Sequence, residues 1–508
     1  VSEALLTLNP HFVVGPLNRR IFGSFVEHMG RCVYTGIYEP DHPSADEHGF
    51  RGDVAELVVE LGATIVRYPG GNFVSNYRWE DGVGPREDRP TRLDLAWRSI
   101  ETNQVGTDDF LGWCERLGIE PMMAMNLGTR GLAEAIELVQ YTNADPGTDV
   151  ADRRGANGRT EPWDVRVWCL GNEMDGPWQM GAKTAEEYAR LAEEVGRALK
   201  RFDPTLELVA CGSSNRAMPT FGAWERIVLD RAFDHVDHIS AHAYYEPHGG
   251  DVDSFLASGE DMDRFISSVV ATADHIAAVK QSDKRVMVSF DEWNVWFAER
   301  FPGEPSLEFE EGRELIRDVY SVLDAVVVGS LLITLMRHTD RVSMACQAQL
   351  VNVIAPILTV PGGPAWRQTI FHPFALTAAH ARGVVLSVGG DIPSVATAAY
   401  GAVDQVWSTA TWDSASGALT VFAVNRSRTE GCQLDLDLSA FGDLEIREHL
   451  TLHDDDHAAT NTRDDPERVV PRPGRSSLED GHLRSTLPAV SWHCIRLDAE
   501  RVAHVPPA

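Results

Sequence analysis

What most constrains the fold is a rhythm in which short β-rich runs alternate with helix-patterned segments from about Ile21 onward. The runs are 20–27, 64–68, 121–126, 165–170, 206–211, 238–244, 286–290 and 344–349. Strands that alternate with helices predict βα units and a parallel sheet. Eight such units favour an α/β (β/α)8 TIM barrel. An open doubly wound sheet is the alternative, but Tyr68-Pro69-Gly70-Gly71-Asn72 lacks both GxGxxG and a following GK[ST]. The intervening helices have readable ends. Those over 53–61 and 109–117 stop at Gly62 and Gly118, and Thr184-Ala185-Glu186-Glu187 is a capping box.

After about Arg382 the helical stripes give way to period-two alternation, as in Cys432-Gln433-Leu434-Asp435-Leu436-Asp437-Leu438. This predicts a half-buried antiparallel β-sandwich, jelly-roll-like, behind the barrel. The expected division is a catalytic barrel over 14–382 and a sandwich made of 1–13 plus 383–508, since the extended N-terminus needs a sheet to join. The segment 450–477, rich in Asp, Arg and Pro, reads as an exposed loop within the sandwich.

A net charge of -31 over 508 residues repels phosphate backbones and anionic lipid. It argues against nucleic acid or membrane as partner and suits a neutral or cationic substrate. No charge-free apolar stretch is long enough to span a bilayer; the richest, 325–336, is too short. The seven cysteines form no CxxC pair and read as buried thiols of a cytoplasmic protein. Val1-Ser2-Glu3-Ala4-Leu5-Leu6 has no leader-like pattern, which fits a cytoplasmic location.

In a (β/α)8 barrel the polar residues at the C-terminal strand ends converge on one face. Here they are Glu27-His28, Asn72, Asn126, Asn172-Glu173, Ser213-Ser214-Asn215, His242 with Tyr244, Asp291-Glu292, and Gln347 with Gln349. Most are uncharged hydrogen-bonding groups, which suits a polyhydroxylated neutral ligand. Two carboxylates stand out, Glu173 after the fourth run and Glu292 after the seventh. Acetal cleavage needs such a pair, one to protonate the leaving oxygen and one to trap or stabilise the oxocarbenium-like carbon. Sugars stack on indole faces, and Trp97, Trp178, Trp293 and Trp296 could supply them. His235, His238 and His242 have a spacing that would make a metal face on a helix, but they fall in and beside a β run. No metal or other cofactor is expected, and His242 reads as a polar lining residue.

The motifs Phe22-Gly23-Ser24-Phe25-Val26-Glu27-His28, Arg67-Tyr68-Pro69-Gly70-Gly71-Asn72-Phe73, Trp97-Arg98-Ser99-Ile100-Glu101-Thr102-Asn103, Leu170-Gly171-Asn172-Glu173-Met174-Asp175-Gly176 and Gln349-Leu350-Val351-Asn352-Val353 run through the whole chain. Together they resemble the retaining α-L-arabinofuranosidases of glycoside hydrolase family 51. The resemblance implies that Glu173 is the general acid/base, Glu292 the nucleophile and Asn172 the holder of the sugar 2-hydroxyl. It further implies that Glu27, Asn72 and Gln349 bind the furanose and that Tyr244 orients the nucleophile; Trp97, His242 and Trp296 are expected to line the site on their own chemistry, as stacking surfaces and a polar side chain. Two carboxyls roughly 5 Å apart are then expected, and retention of configuration with them. The implied activity is exo-acting release of terminal arabinofuranose from arabinoxylan or arabinan oligosaccharides by a homohexamer. An endo-β-glucanase or β-xylosidase of the same clan is the alternative, and a non-catalytic sugar-binding protein is a further one.

Overall fold

The computed structural model describes residues 2–499. Its centre is a closed barrel of eight parallel strands: β1 (Gly23–Phe25), β2 (Ile65–Tyr68), β3 (Glu120–Ala124), β4 (Val167–Leu170), β5 (Glu207–Ala210), β6 (His238–Tyr245), β7 (Met287–Val295) and β8 (Val342–Ala348). Each overlaps one of the eight expected runs, and β8 closes on β1 through Cys346 paired with Gly23 and Ala348 with Phe25. The strands are buried on both faces, by side chains that fill the barrel and by the helical ring outside. The helix Gly52–Leu61 ends where Gly62 turns left-handed at φ 76, and Thr107–Leu117 ends where Gly118 does so at φ 66. The helix Ala185–Phe202 opens on the Thr184 hydroxyl, which accepts the Glu187 backbone N–H. Among the described residues no helix is long and apolar enough to cross a membrane.

Behind the barrel two sheets face one another. The strand Ser2–Thr7 lies in the five-stranded sheet, pairing antiparallel with Gly389–Asp391 and parallel with Cys432–Asp437. The next strand, Val13–Pro16, pairs with Val384–Leu386 at the edge of the seven-stranded sheet and so runs across the boundary expected after residue 13. Alternation sorts the seven-stranded sheet. Val421, Ala423, Ile495 and Leu497 pack into the core between the sheets, whereas Phe422, Val424, Trp492 and Cys494 join the barrel core. These central strands are therefore buried on both faces rather than on one.

The helix Val322–Arg337 sits at this seam and is apolar all round because it has the barrel on one side and the sheet on the other. Trp407 Nε1 donates to Thr334 Oγ1 on it at 3.0 Å. The segment 450–477 departs from a plain exposed loop. Leu444–Leu452 is strand, and Ala459, Asn461 and Val469 are buried. Ala459 accepts the Val322 backbone N–H at 3.2 Å, which ties the segment to the start of the seam helix.

Candidate active site

Glu173 and Glu292 meet at the C-terminal rim, each with a carboxylate oxygen within 4.8 Å of the other's. They arrive by different routes. Glu173 stands just beyond β4 with φ 45, a left-handed conformation that costs a residue with a Cβ on the order of 1 kcal/mol. Its carbonyl is tied back by the Gly176 N–H at 2.8 Å. Glu292 lies within β7, which runs five residues beyond the expected end at Phe290. Between the pairs Ser240 with Ser289 and His242 with Glu292, β7 advances three residues where β6 advances two. Against β8 the same happens between Phe290 with Ala345 and Trp293 with Gln347. Strict alternation would send Asp291 and Glu292 to opposite faces; this bulge turns both towards the barrel interior, where both reach His242.

Glu292 is held at both oxygens. Arg67 Nη1 donates to Oε1 at 2.6 Å and Tyr244 Oη donates to Oε2 at 2.8 Å. The other arm of Arg67 reaches Asn172 Oδ1 at 2.6 Å, so one buried guanidinium aligns the Asn-Glu turn after β4 with the carboxylate on β7. Glu173 accepts at Oε2 from Trp178 Nε1 at 2.7 Å and from Gln179 Nε2 at 3.4 Å. Its Oε1 faces His242 Nδ1 at 2.9 Å, while His242 Nε2 faces Asp291 Oδ1 at 2.7 Å. Burial alone would drive His242 to neutrality, but Glu292, Asp291 and Glu173 outweigh it and push its pKa up to about 10. Asp291 is held below the usual carboxylate range despite its burial, by Arg67 and His242. His242 could group with Glu173 and Glu292 around an ion, but a ring that donates from both nitrogens has no lone pair to offer one.

Beside this pair lies a sugar-sized recess. Glu27 Oε1 accepts from the Phe73 backbone N–H at 3.0 Å and from Trp97 Nε1 at 2.8 Å, and Oε2 accepts from Gln349 Nε2 at 3.1 Å. Burial, with Glu292 adding its charge, pushes the Glu27 pKa up to about 8. Asn72 receives a short hydrogen bond from Gln179. Trp296 packs edge-on to Tyr244 with ring centroids 5.4 Å apart. Among the described residues Asn172 Nδ2, Gln349 Oε1 and Trp296 Nε1 are buried without a partner in the protein. Two donors and an acceptor left open here are what ligand hydroxyls would satisfy.

Of the residues singled out in the sequence, Glu27, Asn72, Trp97, Glu173, Tyr244, Glu292, Trp296 and Gln349 line one cavity of about 1010 Å³; His242 lies against the Glu173 carboxylate and Asn172 is held by Arg67. Others at the strand ends do not join them. Asn126 caps its own loop through Gly128 and Thr129, His28 is turned to Glu101 and Tyr68, and Gln347 bonds Asn294 inside the barrel. Trp293 is fully buried core, whereas Trp178 is 40% exposed at the cavity. His238 is buried, which pushes its pKa down to about 4, and it does not line the cavity. Asp291, at the end of the seventh run, joins the site through His242, and Arg67 and Gln179 belong to it although neither stands among the strand-end residues. A lone arginine inside the otherwise apolar run Ile65-Val66-Arg67-Tyr68 was the available signal for Arg67, because a charge buried in a strand needs a partner.

A closed (β/α)8 barrel that presents two carboxyls at this spacing to a pocket lined with aromatic and hydrogen-bonding groups is a glycoside hydrolase scaffold. Comparison with known proteins narrows this. The family profile for the α-L-arabinofuranosidase 1 domain matches residues 57–264, and that for the α-L-arabinofuranosidase C-terminal domain matches 291–491. An intracellular exo-α-(1→5)-L-arabinofuranosidase of Streptomyces lividans is 58% identical over 98% of this chain and 75% of its own. An exo-α-(1→6)-L-arabinofuranosidase of Bifidobacterium longum is 51% identical over 98% of both chains. The solved family 51 α-L-arabinofuranosidase AbfB of Bifidobacterium longum superposes with a TM-score of 0.94 at 48% identity, over 98% of this chain and 99% of its own. The protein belongs to the α-L-arabinofuranosidases of glycoside hydrolase family 51.

Proposed function

We propose that the protein is an exo-acting, retaining α-L-arabinofuranosidase that removes terminal arabinofuranose from neutral arabinan and arabinoxylan oligosaccharides by double displacement. The observation that carries the reading is the approach of the Glu173 and Glu292 carboxylates to within 4.8 Å. Retaining pairs stand about 5–5.5 Å apart, whereas inverting pairs leave about 6.5–9.5 Å for an intervening water. Glu292 attacks the anomeric carbon as Glu173 gives its proton to the departing glycosidic oxygen. The bond to the leaving group breaks and a glycosyl ester forms on Glu292. Glu173, now ionised, takes a proton from water, whose oxygen attacks the same carbon and frees Glu292. Arg67 and Tyr244 fix the nucleophile's two oxygens before attack. Asn172, Asn72, Glu27, Gln349, Trp97, His242 and Trp296 bind or enclose the furanose.

Relatives named as intracellular exo-enzymes support exo action and a cytoplasmic location for this chain. A homohexamer remains the proposal that the family resemblance implies, and the sheet pairings support a division into a catalytic barrel and a β-sandwich joined by the N-terminal strands. The test is proton NMR of an aryl α-L-arabinofuranoside during hydrolysis. Retention predicts α-arabinose as the first-formed anomer, and β-arabinose would overturn the mechanism. Product analysis on arabino-oligosaccharides should give arabinose alone at early times; internal fragments would favour the endo-acting alternative.

A further inference from the structure

The cavity that begins at Glu173 and Glu292 does not end with one sugar. It continues to the seam with the β-sandwich, where Ala399 and Tyr400 form part of its wall. Its volume, about 1010 Å³, stands at the upper end of the roughly 300–1,000 Å³ of sites that enclose whole drug-sized ligands, far more than one pentose fills. Ala399 and Tyr400 lie at the tip of a hairpin formed by Ser394–Thr397 and Gly401–Asp404. The tip is fastened to the barrel: the Ala399 N–H donates to Ser254 Oγ at 3.0 Å, and the Arg264 guanidinium lies 5.6 Å from the Tyr400 ring centroid.

Facing the hairpin across the cavity are Phe221, Phe255 and the ion pair Arg216–Asp261, with Nη1 to Oδ1 at 2.6 Å. Tyr245 Oη also donates to Asp261, at 3.3 Å. Arg216 is thus electrically matched by its own partner. The wall offers aromatic surface, and the further carboxylates that line the cavity, Glu246, Asp251 and Glu304, add acceptors for hydroxyls; they and the chain's net charge of -31 disfavour anions. Neutral polyols with apolar ring faces match such a wall.

We propose that this far end is a distal sugar subsite, shared between barrel and sandwich hairpin, that holds the leaving-group portion of a neutral arabinose-containing oligosaccharide. The β-sandwich thereby takes part in selecting substrate length. The proposal rests on the reading of the carboxylate pair as an exo-acting arabinofuranosidase.

The test compares kcat/KM for 4-nitrophenyl α-L-arabinofuranoside, arabinobiose, arabinotriose and arabinotetraose in the full-length enzyme, in Tyr400→Ala and in Ala399→Trp. The wild type should gain efficiency from the disaccharide to the longer oligomers. Tyr400→Ala should lose about tenfold on the tri- and tetrasaccharide, the size of one lost aromatic contact, with the aryl substrate changed less than about twofold. Ala399→Trp narrows the groove without removing a buried group and should show the same selective loss. Equal losses on all substrates, or a wild type indifferent to length, would overturn the subsite while leaving the arabinofuranosidase reading intact. Absence of aryl arabinofuranoside hydrolysis in the wild type would overturn that reading, and the subsite with it.

Discussion

His242 and Asp291 form a buried charged pair directly beneath the two candidate catalytic carboxyls, with Nε2 2.7 Å from Oδ1 and the opposite ring nitrogen 2.9 Å from Glu173. The pair accounts for how a crowded set of acids is tolerated. Arg67 and the imidazolium supply two positive charges against Asp291 and Glu292, and burial favours the neutral form of Glu27.

Asp291→Asn removes the charge that holds the proton on His242. The folded pKa of about 10 exceeds the unfolded value of about 6.5, so this proton stabilises the protein fully below about pH 6.5. The stabilisation is lost as pH rises through about 10. In Asp291→Asn the alkaline loss of Tm should still begin near about pH 6.5 but level off at lower pH than in the wild type, because the folded pKa is lower. His242 orients Glu173 rather than attacking substrate, so kcat should fall by about 10²-fold with KM little changed. Tm against pH and steady-state kinetics check this; an unaltered alkaline limb would refute it.

Arg67→Lys tests whether one planar fork is needed to join two strands. Lys cannot serve Glu292 Oε1 and Asn172 Oδ1 with two parallel donors, so one buried partner is left open. Loss of such a partner costs about 3–5 kcal/mol when a buried charge is stranded, and the retained positive charge makes the lower end the expected value. Urea unfolding measures that, and kcat/KM should fall more than 10²-fold because both the proposed nucleophile, Glu292, and the proposed 2-hydroxyl contact, Asn172, are misplaced. A wild-type midpoint and rate would remove Arg67 from the site.

Glu27→Gln addresses a carboxyl whose pKa is raised by burial to about 8. An acid with a raised folded pKa favours the native state at low pH, and that advantage disappears as pH rises from about 4.5 through about 8. The wild type should therefore lose stability across this window relative to Glu27→Gln, whose side chain carries no charge to desolvate. Differential Tm between the two proteins from pH 4 to 9 gives the answer, and parallel curves would contradict it.

The barrel was legible because each unit carries its own signal, an apolar run and a helix with visible ends at Gly62, Gly118 and Thr184. The carboxylate pair was legible because each acid stands beside residues that a buried strand would otherwise exclude. What sequence period could not give is the bulge in β7, since alternation assigns Asp291 and Glu292 to opposite faces and only pairing against β6 and β8 reveals the extra residue. Asn126 shows the converse error. A polar residue at a strand end can spend its hydrogen bonds on its own turn and a neighbouring loop, as Asn126 does on Gly128 and Thr129 and on the Tyr77 carbonyl. The burial of Ala459, Asn461 and Val469 was hidden because residues of a polar loop become buried only through long-range contacts, while 462–468 between them are exposed as the composition implies.

Gly71→Ala tests the floor of the recess. Gly71 adopts φ 36, and a Cβ there would lie 2.5 Å from Cδ and Oε1 of Glu27, a separation that no side chain tolerates. The Glu27 carboxylate cannot retreat without leaving the Phe73 N–H and Trp97 Nε1. The variant should raise KM for an aryl arabinofuranoside about tenfold or more and cost on the order of 1–3 kcal/mol of stability from strain at positive φ. Combined with Glu27→Ala, which removes the obstructing group, Gly71→Ala should cost less than in the wild-type background, because residues in contact do not act additively. Simple additivity in KM across this double-mutant cycle would show that the glycine serves the turn alone and not the sugar site.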